Sequence, residues 1–443
     1  MSFLSVEINA LLMFGLMLAG LMTGYPIGFV LGGVGLFFGV SLFGLNFTGA
    51  LISGFFTTIS NYTLLAIPLF VLMGNIMMQS GAGDRIFNSL YILLGRLRGG
   101  LAIATTVLAT LFAACTGVVG ASVVTVGTLG IPAMLSHNYD RKIAFGTVCS
   151  GGCLGVLIPP SILIVIYGPV ANLPVGGLFM AAIMPGLMLS AAYIVYVVIR
   201  CLINPSLGPA ISEEERKEAL KNTSVLQLLF ALAPPVFIIL AVLVSIFLGF
   251  AAPTEAAAVG CVASMMLAIC YGQFTLETIK KAVLDSLVTT SSILMMTVAA
   301  MMFISTFTSM GGVGIVEKLV LGLPFGKWGI FFLMAVIITV LGMFIDWVGI
   351  VYLCIPLFTP IAASLGFHPI WFATMMILFI QLAYLTPPFA LSCFYCKSIA
   401  PEGTMIGELY KAVVPYIGLQ LIVFTLCIVF PVIVTWLPSL MIG

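Results

Sequence analysis

Arg96-Leu97-Arg98 stands before, and Asp140-Arg141-Lys142 after, an uncharged stretch, Leu101–Ser136, whose middle reads Thr116-Gly117-Val118-Val119-Gly120-Ala121-Ser122. It has room for about two short helices. Lys and Arg collect in cytoplasmic loops of membrane proteins, so both ends of the stretch lie on one face of a membrane. A segment that enters and leaves on the same face is a re-entrant hairpin, and Gly117 and Gly120 break the helix where it turns.

The rest of the chain supports a lipid setting. Of its 443 residues, 62% are apolar and 7% charged, too little polar surface to face water throughout. Apolar runs such as Leu11–Phe43, Gly176–Ile199, Val225–Phe250 and Val413–Leu437 reach or exceed the roughly 20 residues a crossing helix needs. The first run has no positive region before it and no small-residue cleavage site after it, so it reads as a membrane helix rather than a removed signal. A net charge of +1 gives no basic face for nucleic acid. No G-x-x-x-x-G-K-[ST] occurs, which removes an ATP-driven step from within this chain.

Landmarks recur at a nearly fixed offset: Pro26 with Pro253 (227), Gly81 with Gly311 (230), Pro132 with Pro356 (224), Pro159-Pro160 with Pro387-Pro388 (228) and Pro185 with Pro415 (230), the last two expected to open the last helix of each half. An internal repeat accounts for this order. The polar stretch 204–224, with Glu213, Glu214, Glu215, Arg216, Lys217, Glu218 and Lys221, reads as a cytoplasmic linker between repeats 1–203 and 225–443. Each repeat holds one hairpin (about 101–136 and 329–364) and one broken helix (about 143–172 and 370–400). Five crossings per half place both termini outside and thirteen of the fifteen Lys and Arg inside, leaving Lys318 and Lys327 outside. An odd number of crossings makes the repeats antiparallel. The expected fold is an all-α polytopic membrane protein with two inverted-topology repeats, of the elevator type, whose frame comes from the first and last helices of each repeat.

Non-helical backbone at membrane depth survives only where it is buried or lines a wet cavity, so the breaks mark candidate sites. They are Thr116, Gly117, Gly120 and Ser122 at the first tip; Gly152, Pro159 and Ser161 in the first broken helix; Gly342 and Asp346 at the second tip; and Thr386 and Pro387 in the second broken helix. Proline frees the carbonyl one turn earlier, near Gly155, Val156, Ala383 and Tyr384, as a ligand for a small hard cation. Sodium is expected at Gly117, Ser122, Asp346 and Thr386, beside an anionic substrate. An acid at membrane depth is costly, which singles out Asp346, although a helix cap is the plain alternative. Glu255 follows Pro253 in a helix first turn, where the dipole favours an acid. Ser291 and Ser292 lie on a helix expected along the cavity. Asp140-Arg141 reads as a local pair, and His137 and His368 as surface residues. Ten cysteines sit mostly in apolar runs; Cys149/Cys153 and Cys393/Cys396 each lack the second ligand pair, the histidines or the polar loop of a metal or redox site, so all read as packing groups and no bound cofactor is expected.

Five runs then carry a resemblance: Gly117–Ser122 with Gly127-Thr-Leu-Gly-Ile-Pro132; Gly155-Val-Leu-Ile-Pro-Pro-Ser161; Gly249-Phe-Ala-Ala-Pro-Thr-Glu-Ala256; Gly342–Asp346; and Thr386-Pro387-Pro388. Together they resemble the large membrane subunit of tripartite ATP-independent periplasmic (TRAP) transporters across essentially the whole chain. The resemblance implies a sodium-driven importer of small carboxylates in the bacterial inner membrane, served by a periplasmic substrate-binding protein and a separate small four-helix membrane subunit. Two positions depart from the family pattern: Ala121 replaces a serine, and Ala390 stands where a glycine is usual. The competing reading is a stand-alone ion-coupled anion transporter of similar fold. An intramembrane protease fails for want of a second acid, a His-Glu-x-x-His or a Ser-His pair at depth. A passive channel would show pore-lining rings rather than an antiparallel repeat.

Overall fold

The structure, a computed structural model, describes residues 5–215 and 225–441. Arg216, Lys217, Glu218 and Lys221 of the expected linker lie outside the described residues. Helices, turns and short 3-10 segments make up the described chain, with no strand among them. Seven helical stretches among the described residues are long and apolar enough to cross a membrane, and further apolar helices of 10–17 residues accompany them. Two of the seven, Val119–Ser136 and Trp347–Ser364, are arms of helix pairs rather than lone spans.

The first pair is α6 (Gly100–Thr116) and α7 (Val119–Ser136), which pack against each other. Its outer ends are tied to one place: Gly99 donates to the Gly208 carbonyl at 2.8 Å, and Asp140 to the Leu207 carbonyl at 3.0 Å. The second pair is α15 (Gly326–Gly342) and α16 (Trp347–Ser364). Its outer ends also meet, with Lys327 Nζ 3.1 Å from the Gly366 carbonyl and over the Phe367 ring. Each pair is followed by an interrupted helix. In the first half this is α8 (Arg141–Cys153), a 3-10 turn (Leu154–Val156) and α9 (Ile162–Ala171); in the second it is α17 (Pro369–Ala383) and α18 (Leu391–Ile399). Pro159-Pro160 and Pro387-Pro388, both cis, occupy the interruptions.

The other elements, in order, are α1 (Val6–Met22), α2 (Ile27–Phe43), α3 (Phe47–Ile59), α4 (Ala66–Gln79), α5 (Ala82–Leu94), α10 (Val175–Ile203), α11 (Val225–Phe247), α12 (Pro253–Cys270), α13 (Leu276–Ser309), α14 (Gly312–Leu321), α19 (Ile406–Val429) and α20 (Val432–Ser439). Small residues set the closest approaches, as expected where lipid supplies no hydrophobic drive between helices. A Cβ on Gly35 would lie 2.7 Å from the Phe303 nitrogen, and Thr306 donates to the Gly35 carbonyl at 2.9 Å, so α2 lies directly on α13.

Three details differ from the sequence reading. Pro185 and Pro415 do not open the last helix of each half; they lie inside α10 and α19, which start at Val175 and Ile406. Those two helices pack on α6, α8, α17 and α18, the hairpin and broken-helix elements, rather than on the α2, α4, α12 and α13 group. Asp140 and Arg141 do not pair. Asp140 caps α8, accepting from Lys142 and Ile143 at 2.9 and 3.3 Å, and Arg141 reaches Glu408 at 3.4 Å, because an N-cap carboxylate points into its own helix while the next side chain points away. His137 is half-buried, bridging Tyr91 and Glu215, whereas His368 is exposed and caps α17. The Tyr91 hydroxyl, and after it His137, hold the Glu215 carboxyl below its ordinary value.

Candidate functional site

Each helix pair turns against an interrupted helix. At the first turn Gly117 adopts φ +59°, and a Cβ there would lie 3.0 Å from the Ile162 nitrogen at the start of α9. Only glycine takes that conformation and that closeness together. Thr116 and Ser122 flank it, both buried with hydroxyls 3.4 Å apart, and Gly155 of the 3-10 turn leaves room beside Ser122. At the second turn Gly342 presses on Ala383, where a Cβ would come within 2.5 Å of the alanine Cβ. Asp346 then occupies the N-cap of α16, and its Oδ1 accepts from the Tyr384 hydroxyl at 2.8 Å.

The carbonyls released by the prolines acquire local partners. Ser161 donates to Val156 O at 2.6 Å; Ser392 donates to Tyr384 O through both Oγ (2.9 Å) and N (3.3 Å). The Thr386 carbonyl accepts from the Ala390 nitrogen at 3.2 Å, and the Ala383 carbonyl from Thr386 at 3.2 Å. Each carbonyl oxygen carries a second lone pair, so one hydrogen bond leaves room for one further ligand.

Both turns open on one cavity of about 490 Å³. Val118, Val119 and Gly120 come from the first tip, Phe344, Asp346, Trp347 and Val348 from the second, Tyr384, Leu391 and Tyr395 from the second broken helix, and Val288, Thr289, Ser292, Ile293 and Met296 from α13. Asp346 is the one charged residue in this lining. The first tip meets the second broken helix at Tyr395, whose ring lies 3.0 Å from where a Gly120 Cβ would be. Of the sequence candidates, Gly120, Ser292 and Asp346 share the cavity. Thr116, Gly117, Ser122 and Ser161 sit in the buried knot between the first tip and its broken helix; Gly342 packs behind the second tip; Thr386 and Pro387 lie at the second break. Gly152 serves packing, since a Cβ would fall 2.2 Å from Val123 Cγ2. Pro159 lines a different, almost wholly apolar cavity with Leu111 and Leu243. Ser291 is exposed, and Ser292 back-bonds the Val288 carbonyl at 2.9 Å. Glu255 bonds the Ala252 nitrogen at 2.9 Å, the role of a first-turn acid.

Tyr395 and the side chain of Tyr384, named in the sequence only for its carbonyl, were not singled out there, since an aromatic in an apolar run reads as packing. Their one signal is position, bracketing the Pro387-Pro388 break. The cysteine pairs, separated by some 240 residues in sequence, come together in space: Cys149 on α8 lies beside Cys393 and Cys396 on α18, and its Sγ is 3.8 Å from the Ser392 carbonyl. All are fully buried, and no group of three or more His, Cys, Asp or Glu among the described residues has metal-holding geometry.

Residues 14–433 match the family described as tripartite ATP-independent periplasmic transporter, DctM component. The C4-dicarboxylate TRAP transporter large permease protein DctM of Pseudomonas aeruginosa is 32% identical over 385 residues, 87% of this chain and 86% of that one. The sialic acid TRAP transporter large permease protein SiaM of Vibrio cholerae is 30% identical, covering 96% and 97%. These relatives are transporter permeases, not enzymes. Among solved structures, the Alcanivorax borkumensis YdaH transporter superposes with a TM-score of 0.61 at 14% identity over 97% of this chain and 98% of that one, a likeness of fold.

Proposed function

From the premise that this chain belongs to the TRAP transporter large permease (DctM) family, we propose that it imports small organic anions, carboxylates first among them, against their gradient by coupling to sodium. A periplasmic binding protein delivers the substrate and a small four-helix membrane subunit widens the frame. The chain sits in the bacterial inner membrane with both termini periplasmic and the 204–224 linker cytoplasmic, the orientation that places most Lys and Arg inside.

The observation that carries this reading is the convergence of both tips on one cavity whose single charged lining residue is Asp346. A carboxylate in a low-dielectric setting needs a counter-charge. A sodium ion supplies one and brings that pair to neutrality, and a second sodium beside it would leave net positive charge to attract an anionic substrate, which is how a cavity with no Lys or Arg in its lining could take a carboxylate. The paired hydroxyls Thr116 and Ser122 with the Gly117 carbonyl offer a second oxygen cluster of the kind a small hard cation prefers, and Thr386 contributes its carbonyl near Asp346. Matching placement of the landmarks supports an internal repeat: Gly81 and Gly311 both take left-handed conformations at helix starts, and a double proline interrupts the helix that follows each hairpin. Binding of the cations closes the tips, and the hairpins with their broken helices, carrying α10 and α19, slide against the α2, α4, α12 and α13 group.

The test is uptake by proteoliposomes holding this chain, the small subunit and the matching binding protein, with a panel of small carboxylates and with or without an inward sodium gradient. Uptake that requires both sodium and the binding protein is the expected result. Uptake by this chain alone would replace the tripartite reading with a stand-alone transporter.

A further inference from the structure

The long helix α13 borders two cavities. Its residues Val288–Met296 face the tip cavity, and its later residues Met301–Ser309 face another of about 450 Å³. At 1.5 Å per residue the centres of these stretches lie roughly 20 Å apart along the helix. The second cavity is closed on the other side by Pro169 and Val170 of α9 and by Tyr352 and Pro356 of α16, the same helix whose start, Trp347 and Val348, lines the first. Between the two, α13 packs directly on α16, with Thr297 of α13 fully buried and donating to the Ile293 carbonyl of its own helix at 2.9 Å. The partition is therefore a contact between α13 and a hairpin arm, not a continuous wall.

The chemistry of the second cavity differs from that of a lipid-filled gap. Thr57, Thr58, Asn61, Ser305, Thr308 and Ser309 all face it, and no charged residue does. The Asn61 Oδ1 is held by the Thr63 nitrogen at 3.0 Å, which fixes the amide and leaves its NH2 as a donor. A further cavity of about 370 Å³ shares Asn61 and Pro169 and continues toward Asn172 and Pro253. Neutral donors replace the hydration of a polar anion without holding it as a fixed cation would, and a transit position must release what it binds.

We propose that this second cavity is a transit site for the carboxylate substrate on the delivery side, built on α3 and α13, from which the solute passes to the tips once α13 and α16 part. This rests on the import reading above. It names Asn61 and Ser305 as residues that touch substrate before Asp346 is reached.

The experiment uses the full transporter with its small subunit and binding protein in right-side-out vesicles, with radiolabelled succinate as probe, and sialic acid where succinate is not carried. Asn61→Cys and Ser305→Cys, each shown to transport, are treated from outside with a membrane-impermeant methanethiosulfonate. The expected result is labelling of both, slowed at least threefold by binding protein loaded with probe, together with an Asn61→Leu protein whose half-saturating substrate concentration rises about tenfold at unchanged sodium dependence. Labelling that ignores substrate, or an absence of labelling from outside, overturns the transit site while leaving the import reading standing. Wild-type protein that carries none of the panel of small carboxylates under a sodium gradient removes the import reading itself, and the transit site with it.

Discussion

Replacing Tyr384 with Phe deletes one hydrogen-bond donor and keeps the ring, so its effect isolates the 2.8 Å contact with Asp346 Oδ1. A hydrogen bond to a charged group is worth about 1.5–3 kcal/mol and one between neutral groups about 0.5–1.5 kcal/mol. When sodium binds Asp346 it neutralises the acceptor, so the Tyr384 contact drops from the first range toward the second. Removing the hydroxyl therefore destabilises the sodium-free state more than the bound state, by about 1–1.5 kcal/mol. That difference corresponds to roughly five- to tenfold tighter sodium binding in Tyr384→Phe. Trp347 adjoins Asp346 and lines the same cavity, so a sodium titration followed by tryptophan fluorescence reports on the site directly. Asp346→Asn, which preserves shape and can still accept from Tyr384, is expected to lose the response. Unchanged or weaker sodium binding in Tyr384→Phe, or a full response in Asp346→Asn, would refute the placement of a cation at this carboxylate.

Gly117→Ala combines a φ of +59° with a Cβ 3.0 Å from the Ile162 nitrogen, and should cost at least about 1–2 kcal/mol, read as a lower Tm in detergent together with reduced uptake. In Gly152→Ala the added methyl meets Val123 side chain and backbone, an overpacking cost of about 1–3 kcal/mol; an unchanged Tm would show that α7 and α8 part easily. Ala390→Gly relieves a left-handed residue (φ +40°) worth about 1–2 kcal/mol and loses a buried methyl worth about 0.8 kcal/mol, so Tm should hold or rise, and a clear fall would contradict the strained conformation. Arg141→Gln breaks a half-exposed pair with Glu408 and should shift stability by no more than about 1 kcal/mol, in a thermal melt at low salt.

The class of the molecule was legible because lipid leaves few alternatives: a chain this apolar, with its cations clustered, must be helical and cross repeatedly. The interruptions stand where Gly117 and Pro387-Pro388 stand, since those residues act through their own backbone and need no partner to be recognised. Side-chain partners over long sequence separations were not legible. Arg141 finds Glu408, and Cys149 finds Cys393 and Cys396, because α8 crosses the far end of the chain, and no local pattern encodes that crossing. The Tyr384 side chain was hidden for a related reason. Its importance comes from a carboxylate 38 residues away, and in the sequence it is one more aromatic in an apolar helix. The serines that occupy the proline-freed carbonyls follow the prolines closely, yet the direction in which each hydroxyl turns is set by the bend itself.

The three backbone hydrogen bonds from Gly99 to Gly208, Asp140 to Leu207 and Ile211 to Gly95 make the base of the first hairpin and the exit of α10 one mechanical joint. Under the sliding motion proposed above, the base of the hairpin and the exit of α10 would travel as one piece, and loosening any of these three bonds would let the hairpin move without its neighbour.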